Sequence, residues 1–169
     1  YEAETPLPTN KDGEYGDNVT TVTYYYVRKN AGNVTVHHYE ENTTTELDTT
    51  VVLSGANKFG LNYTTSEESI TNYELVAQPT NKNGTYTLQP QTVDYFYRRK
   101  NAGKVTVHHY LLGTTTELYT PAGKTSPSPE ELDGTGKMGL PYTTSDRTSV
   151  PELSDYELVT PAPTNATGT

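Results

Sequence analysis

The stretch Tyr24-Tyr25-Tyr26-Val27-Arg28-Lys29-Asn30-Ala31-Gly32-Asn33-Val34-Thr35-Val36-His37-His38-Tyr39 returns 71 residues later as Tyr95-Phe96-Tyr97-Arg98-Arg99-Lys100-Asn101-Ala102-Gly103-Lys104-Val105-Thr106-Val107-His108-His109-Tyr110. Self-similarity of this length is the signature of a repeat architecture. The stretch also carries its own local reading. Val34, Val36 and His38 alternate with Thr35, His37 and Tyr39, which is the period of a half-buried strand. Thr92 to Tyr97 alternates in the same way, with Val93, Tyr95 and Tyr97 on one side.

Working outward, Lys58-Phe59-Gly60-Leu61-Asn62-Tyr63-Thr64-Thr65 reappears as Lys137-Met138-Gly139-Leu140-Pro141-Tyr142-Thr143-Thr144, and Tyr73-Glu74-Leu75-Val76 as Tyr156-Glu157-Leu158-Val159. Pro-Thr-Asn occurs at Pro8, Pro79 and Pro163, and a glycine (Gly13, Gly84, Gly168) follows each Asn three residues on. The offset grows from 71 to 79 at Tyr63/Tyr142 and to 83 at Tyr73/Tyr156. The second copy therefore holds two insertions, one in Pro121 to Leu132 and one between Thr144 and Tyr156. The first is rich in Pro, Gly and Ser, a composition expected of a surface loop.

Phasing each unit at Val-Thr-Val divides the chain into three. Residues 1–27 are the tail of a preceding copy, 34–97 a complete copy, and 105–169 a copy that lacks its final strand. The chain opens and closes within a copy, so a longer parent polypeptide is expected. Segments 29–32 and 100–103 join neighbouring units, and links this short predict a semi-rigid rod. Within the complete copy, strands are expected over Val34 to Tyr39, Glu46 to Leu53, Ile70 to Val76 and Thr92 to Tyr97. A turn is expected at Pro79 to Gly84. The first and last strands are placed centrally, side by side.

Composition agrees with small, thin cores. The 169 residues include 15 Tyr but two Phe, one Met and no Trp, and apolar residues make up 31%. Tyr, Thr and Val favour strands, and no long amphipathic helix is legible. The net charge of −9 argues against a nucleic-acid backbone or an anionic membrane as partner. With no cysteine, disulfides and thiolate chemistry are excluded. No run is long enough to span a bilayer as a helix.

The order Val-x-Val-x-x-Tyr (Val34, Val36, Tyr39), Gly55, Lys-x-Gly-x-x-Tyr (Lys58, Gly60, Tyr63), Tyr73, Pro-x-Asn-x-x-Gly (Pro79, Asn81, Gly84) and Val-x-Tyr-x-Tyr (Val93, Tyr95, Tyr97) resembles the MucBP (mucin-binding protein) repeat family. The second copy matches at Val105, Val107, Tyr110, Gly134, Lys137, Gly139, Tyr142, Tyr156, Pro163, Asn165 and Gly168. The resemblance implies small β-grasp (ubiquitin-like) units of mostly β, α+β class, in tandem. It further implies a non-catalytic adhesion module on the surface of a Gram-positive bacterium, wall-anchored through its parent. Mucin or other host glycoprotein glycans would be the partners, together with neighbouring repeats of the same chain. The alternative is a spacer that projects a separate binding domain. Two features depart from a minimal repeat: the His-His pairs and the long insertion.

No residue set suggests catalysis, a cofactor or a metal site. Adjacent strand residues face opposite ways, so His37-His38 and His108-His109 fit strand packing better than chelation. No Asp-x-Asp-x-Asp-Gly loop for calcium occurs. Six Asn-x-Ser/Thr matches (Asn18, Asn33, Asn42, Asn62, Asn83, Asn165) are what a Thr- and Asn-rich composition generates by itself. Aromatic faces are better candidates, because they meet sugar rings well. Tyr25, Phe96, Tyr63, Tyr142, Tyr119 and Glu130 are the candidate ligand surface. For Tyr25 and Phe96, packing between repeats is the competing role.

Overall fold

The computed structural model describes every residue except Ala162. The strands are β1 (Glu2–Ala3), β2 (Tyr26–Val27), β3 (Val34–Glu40), β4 (Val51–Leu53), β5 (Asn62–Thr64), β6 (Tyr73–Ala77), β7 (Asn83–Thr85), β8 (Gln91–Arg99), β9 (Val105–Val107), β10 (Glu130–Leu132), β11 (Tyr142–Thr143) and β12 (Thr167–Gly168). The described residues contain no α-helix, and a 3-10 turn at Pro151–Leu153 is their one helical element. The chain is thus mostly β, as its composition predicts.

Two compact units emerge, Tyr1–Ile70 with Leu75–Tyr97, and Thr71–Glu74 with Arg98–Thr169. The complete copy is built on a four-stranded sheet of order β4-β3-β8-β6. Its centre is the expected pairing of first and last strands. β3 and β8 run parallel, in register from Val34↔Gln91 to Glu40↔Tyr97. The alternation read from sequence decides the faces. Val34, Val36 and His38 point inward with Val93, Tyr95 and Tyr97, all at or below 4% exposure. Burying each of the valines Val34, Val36 and Val93 contributes about 1.5–3 kcal/mol.

This core is partly polar and fully bonded at its centre. The Tyr97 hydroxyl shares a hydrogen bond with His38 Nδ1 at 3.0 Å and accepts the Glu68 N–H at 2.9 Å. Burial, with the Glu67 and Glu68 charges, raises the Tyr97 pKa above its usual 10.0. Tyr95 exchanges a hydrogen bond with Thr65 Oγ1 at 2.8 Å and stacks on His38 at 5.2 Å. The His-His pair is therefore a packing device through its second member.

The second expected strand is shorter than Glu46 to Leu53. Glu46 makes an isolated bridge to Tyr39, and regular pairing begins only at Val51. Asp48 accepts the Thr49 N–H, a local turn bond that competes with a ladder. In the second unit β9 pairs with β10, Val105 opposite Leu132, as Val34 lies opposite Leu53. Leu118 N–H bonds His109 O just as Leu47 bonds His38 O, both at 2.8 Å. The first insertion therefore lies between Leu118 and Glu130. The end of the Pro121 to Leu132 stretch is strand rather than loop.

The linker segments are held by repeated bonds. Ala31 N–H donates to Gly55 O at 2.9 Å and Phe59 N–H to Lys29 O at 3.1 Å. Ala102 and Met138 repeat this with Gly134 O (2.8 Å) and Lys100 O (3.1 Å). Asn30 and Asn101 each accept a backbone N–H, from Asn57 and Gly136, at 2.8 Å. A Cβ at Gly55 or Gly134 would lie 2.4 Å from the carbonyl oxygen of Ala31 or Ala102. That contact explains the glycine in both copies.

Gly55→Ala is expected to cost about 1–3 kcal/mol by overpacking, whereas Gly13→Ala, with nothing near its Cβ, stays within about 0.5 kcal/mol. Tyr97→Phe strips His38 and Glu68 of a partner and should cost about 1–3 kcal/mol. Urea unfolding monitored by tyrosine fluorescence or circular dichroism checks all three.

Candidate functional site

The outward face of the β3–β8 pair is the first candidate. Strand alternation that buries Tyr95 and Tyr97 leaves Phe96 outward, 41% exposed. It meets Tyr39 with ring centroids 6.0 Å apart, and Tyr39 stacks on His37 at 5.2 Å. His37 and Thr50 both bond the Glu46 carboxylate. Those two hydrogen bonds lower the Glu46 pKa below its usual value. Partial desolvation, then the Glu46 and Asp94 charges, raise that of Tyr39. The result is an aromatic strip edged by fixed carboxylates. Its nucleus recurs in the second unit, where His108 stacks on Tyr110 at 4.8 Å and bonds Glu117.

The six candidates from sequence divide by burial. Tyr25 is 69% exposed, like its neighbours Tyr24 and Tyr26. Tyr63 is only 5% exposed, T-shaped against Tyr86 at 5.6 Å, with its hydroxyl donating to Asn81 O at 3.3 Å. Tyr142 is half-buried and donates to Asn165 O at 3.2 Å. Each of these two rings lies over a glycine, Gly84 or Gly168, where a Cβ would approach to 2.6 or 2.7 Å. Tyr63 and Tyr142 are thus engaged in packing.

Tyr119 and Glu130 come together in the second unit around a residue the sequence reading passed over. The Arg147 guanidinium lies 5.4 Å from the Tyr119 ring centroid and makes two bonds to Glu130, its Nε at 3.1 Å. The Glu130 hydrogen bond raises the Arg147 pKa further. Arg147 adopts φ 60°, a left-handed backbone uncommon for a side chain of this size. Tyr119 also meets His109 edge-on at 5.4 Å. Within the sequence, only the position of Arg147 inside the second insertion marked it.

Among the described residues no group of three or more His, Asp or Glu is placed to hold a metal ion, and no helix is long and apolar enough to cross a membrane. The chain is a tandem array of small β-sheet modules with an aromatic outer face. It belongs to the MucBP domain family, which it matches over residues 1–27, 33–98 and 104–169. Internalin J of Listeria monocytogenes serovar 1/2a (strain ATCC BAA-679 / EGD-e) is 34% identical over 166 residues, covering 95% of this chain and 17% of that protein. Internalin J of serotype 4b (strain F2365) is 32% identical over 164 residues, covering 95% and 16%. The chain thus spans about a sixth of the length of these relatives. Family and relatives together support a surface module of the adhesion type.

Burial lowers the His109 pKa below 6.5, outweighing the Glu130, Glu117 and Asp146 charges that act the other way. The folded protein then binds this proton less readily than the unfolded chain. Its stabilising effect is full above pH 6.5 and is lost as pH falls below that value. A ring titration by NMR should place His109 below 6.5, and the second unit should unfold at lower urea at acidic than at neutral pH. His109→Gln should weaken that pH dependence.

Proposed function

We propose that these repeats form a non-catalytic, extracellular adhesion module of a bacterial surface protein that binds mucin-type glycans through the outward aromatic face of each copy. The observation that carries the reading is the Phe96–Tyr39–His37 strip with Glu46 beside it. Sugar rings present C–H faces that pack on aromatics and hydroxyls that donate to carboxylates. Tyr25 corresponds to Phe96 in the repeat and is also exposed. The MucBP family name supports mucin as the glycoprotein. Attachment to a cell wall would lie with other parts of the parent. We read the four-stranded sheet as a β-grasp-like arrangement in which extended segments replace the helix.

A second reading, a spacer that only extends another domain, is favoured by one feature: the clamp on the linkers. The Arg28 guanidinium sits 5.0 Å from the Tyr1 ring centroid and bonds Phe59 O, while Arg99 sits 4.6 Å from that of Tyr73 and bonds Met138 O. Such clamps would stiffen a stalk whether or not it binds anything.

Binding of the chain to immobilised mucin, before and after enzymatic removal of its glycans, separates the readings. Saturable, glycan-dependent binding is expected, weakened about tenfold by Phe96→Ala, the scale of one lost aromatic contact. Tyr63→Phe should leave it within about twofold, since that hydroxyl faces Asn81. Binding that survives glycan removal, or none at high micromolar protein, sinks the glycan reading.

A further inference from the structure

The aromatic strip of the complete copy has a carboxylate on each flank. The parallel register sets Asp94 beside His37 and Phe96 beside Tyr39, and strand alternation puts all four on the outward face. On the opposite flank of β3, Glu46 bridges to Tyr39 and its carboxylate bonds His37. The stacked His37 and Tyr39 rings therefore lie between Glu46 on one side and Asp94 on the other.

No permanent cation neutralises either group. Among the described residues Asp94 and Glu46 form no ion pair with a lysine or arginine. Hydrogen bonds to His37 and Thr50 lower the Glu46 pKa and hold it ionised, and Asp94 Oδ1 is buried without a hydrogen-bond partner. Arg98 follows Phe96 on the outward face of β8, but its Nε donates to Glu74 Oε1 at 2.8 Å. Partial desolvation raises the Tyr39 pKa and the Glu46 and Asp94 charges raise it further, so both are felt at the ring. The strand itself does not call for an acid at position 94. An unbonded buried acceptor costs stability, and Thr23 stands at the corresponding position of residues 1–27.

We propose that Asp94 and Glu46 make the strip selective for uncharged glycans, binding neutral sugars and turning away those that carry a carboxylate or a sulfate. The proposal rests on the glycan-binding reading and names the class of sugar that the same face takes. Neutral sugars pack C–H groups on the Tyr39 and Phe96 rings and donate hydroxyls to the carboxylates. An acidic substituent brings no donor to those oxygens and meets two charges of its own sign. Like charges closer than the Debye length, about 8 Å at physiological ionic strength, are not fully screened. Repulsion of this kind is how a surface rejects a wrong ligand that its attractive contacts would otherwise admit. The net charge of −9 acts in the same direction.

The test uses the whole chain and the disaccharide galactosyl-N-acetylgalactosamine, immobilised at equal density with a fucose, a sialic acid or a sulfate added. Fucose adds size without charge. At physiological ionic strength the fucosylated form should bind about threefold or more tighter than either charged form, and the gap should close in about 1 M salt. Asp94→Thr and Glu46→Gln should each narrow the gap and together close it. A role in folding alone would weaken all forms alike and leave their ratio unchanged. Equal or tighter binding of the charged forms overturns the selectivity, as does a gap that both substitutions leave intact. If Phe96→Ala still weakens the neutral form in those cases, the adhesion reading stands without it. Binding of no form, or binding indifferent to Phe96→Ala, removes that reading and the selectivity with it.

Discussion

Parallel pairing of β3 with β8 joins residues 57 positions apart, as at Val36↔Val93, and organises the rest of the complete copy. Parallel neighbours need a long crossover, and here residues 41–90 supply it without any helix. Because the two strands run the same way, the chain enters the copy at one end of the sheet and leaves at the other. A unit with that connectivity can be repeated without its termini competing for the same edge. β4 and β6 then cover the flanks of the pair, so the order β4-β3-β8-β6 follows from one central choice.

A core poor in aliphatic residues succeeds because its tyrosines are bonded as well as buried. Phenol rings supply area, while each hydroxyl finds an acceptor or donor on a neighbouring element: Thr65 for Tyr95, and His38 with Glu68 for Tyr97. Desolvating those hydroxyls without partners would offset much of the burial. The polar contacts also make the packing specific, since only one alignment of β8 places both hydroxyls correctly. Thr65 and His38 therefore help fix the register of β8.

The sheet was legible in the sequence wherever a single strand carried its own alternation. Val34–Val36–His38 and Val93–Tyr95–Tyr97 announced their inward faces, and their place at the two ends of the repeat announced their pairing. The candidate surface was less legible. Phe96 could be placed outward by parity, but Tyr39, its partner on the neighbouring strand, depends on the register of the parallel pair. Tyr63 and Tyr142 looked available because the glycines beneath them, Gly84 and Gly168, lie more than 20 residues away in the chain. Arg147 carried no motif at all. Its role depends on two other residues of the second copy, Tyr119 and Glu130, that only the fold brings to it.

The inward and outward faces of the central strands are repeated for different reasons. Inward residues recur because each copy must close the same core. That argument does not extend to His37, Tyr39 and Glu46, since bonds among solvent-facing side chains contribute little to stability. Their arrangement nonetheless recurs as His108, Tyr110 and Glu117, with the same stacking and the same carboxylate bond. Under the glycan-binding proposal, repetition of a surface that the core does not require would serve binding by valency. Weak identical sites on one chain convert later contacts into intramolecular ones and multiply residence on a multivalent partner. A glycan-covered surface would be such a partner, and under that proposal each site needs only the modest affinity that an aromatic strip and one carboxylate can supply.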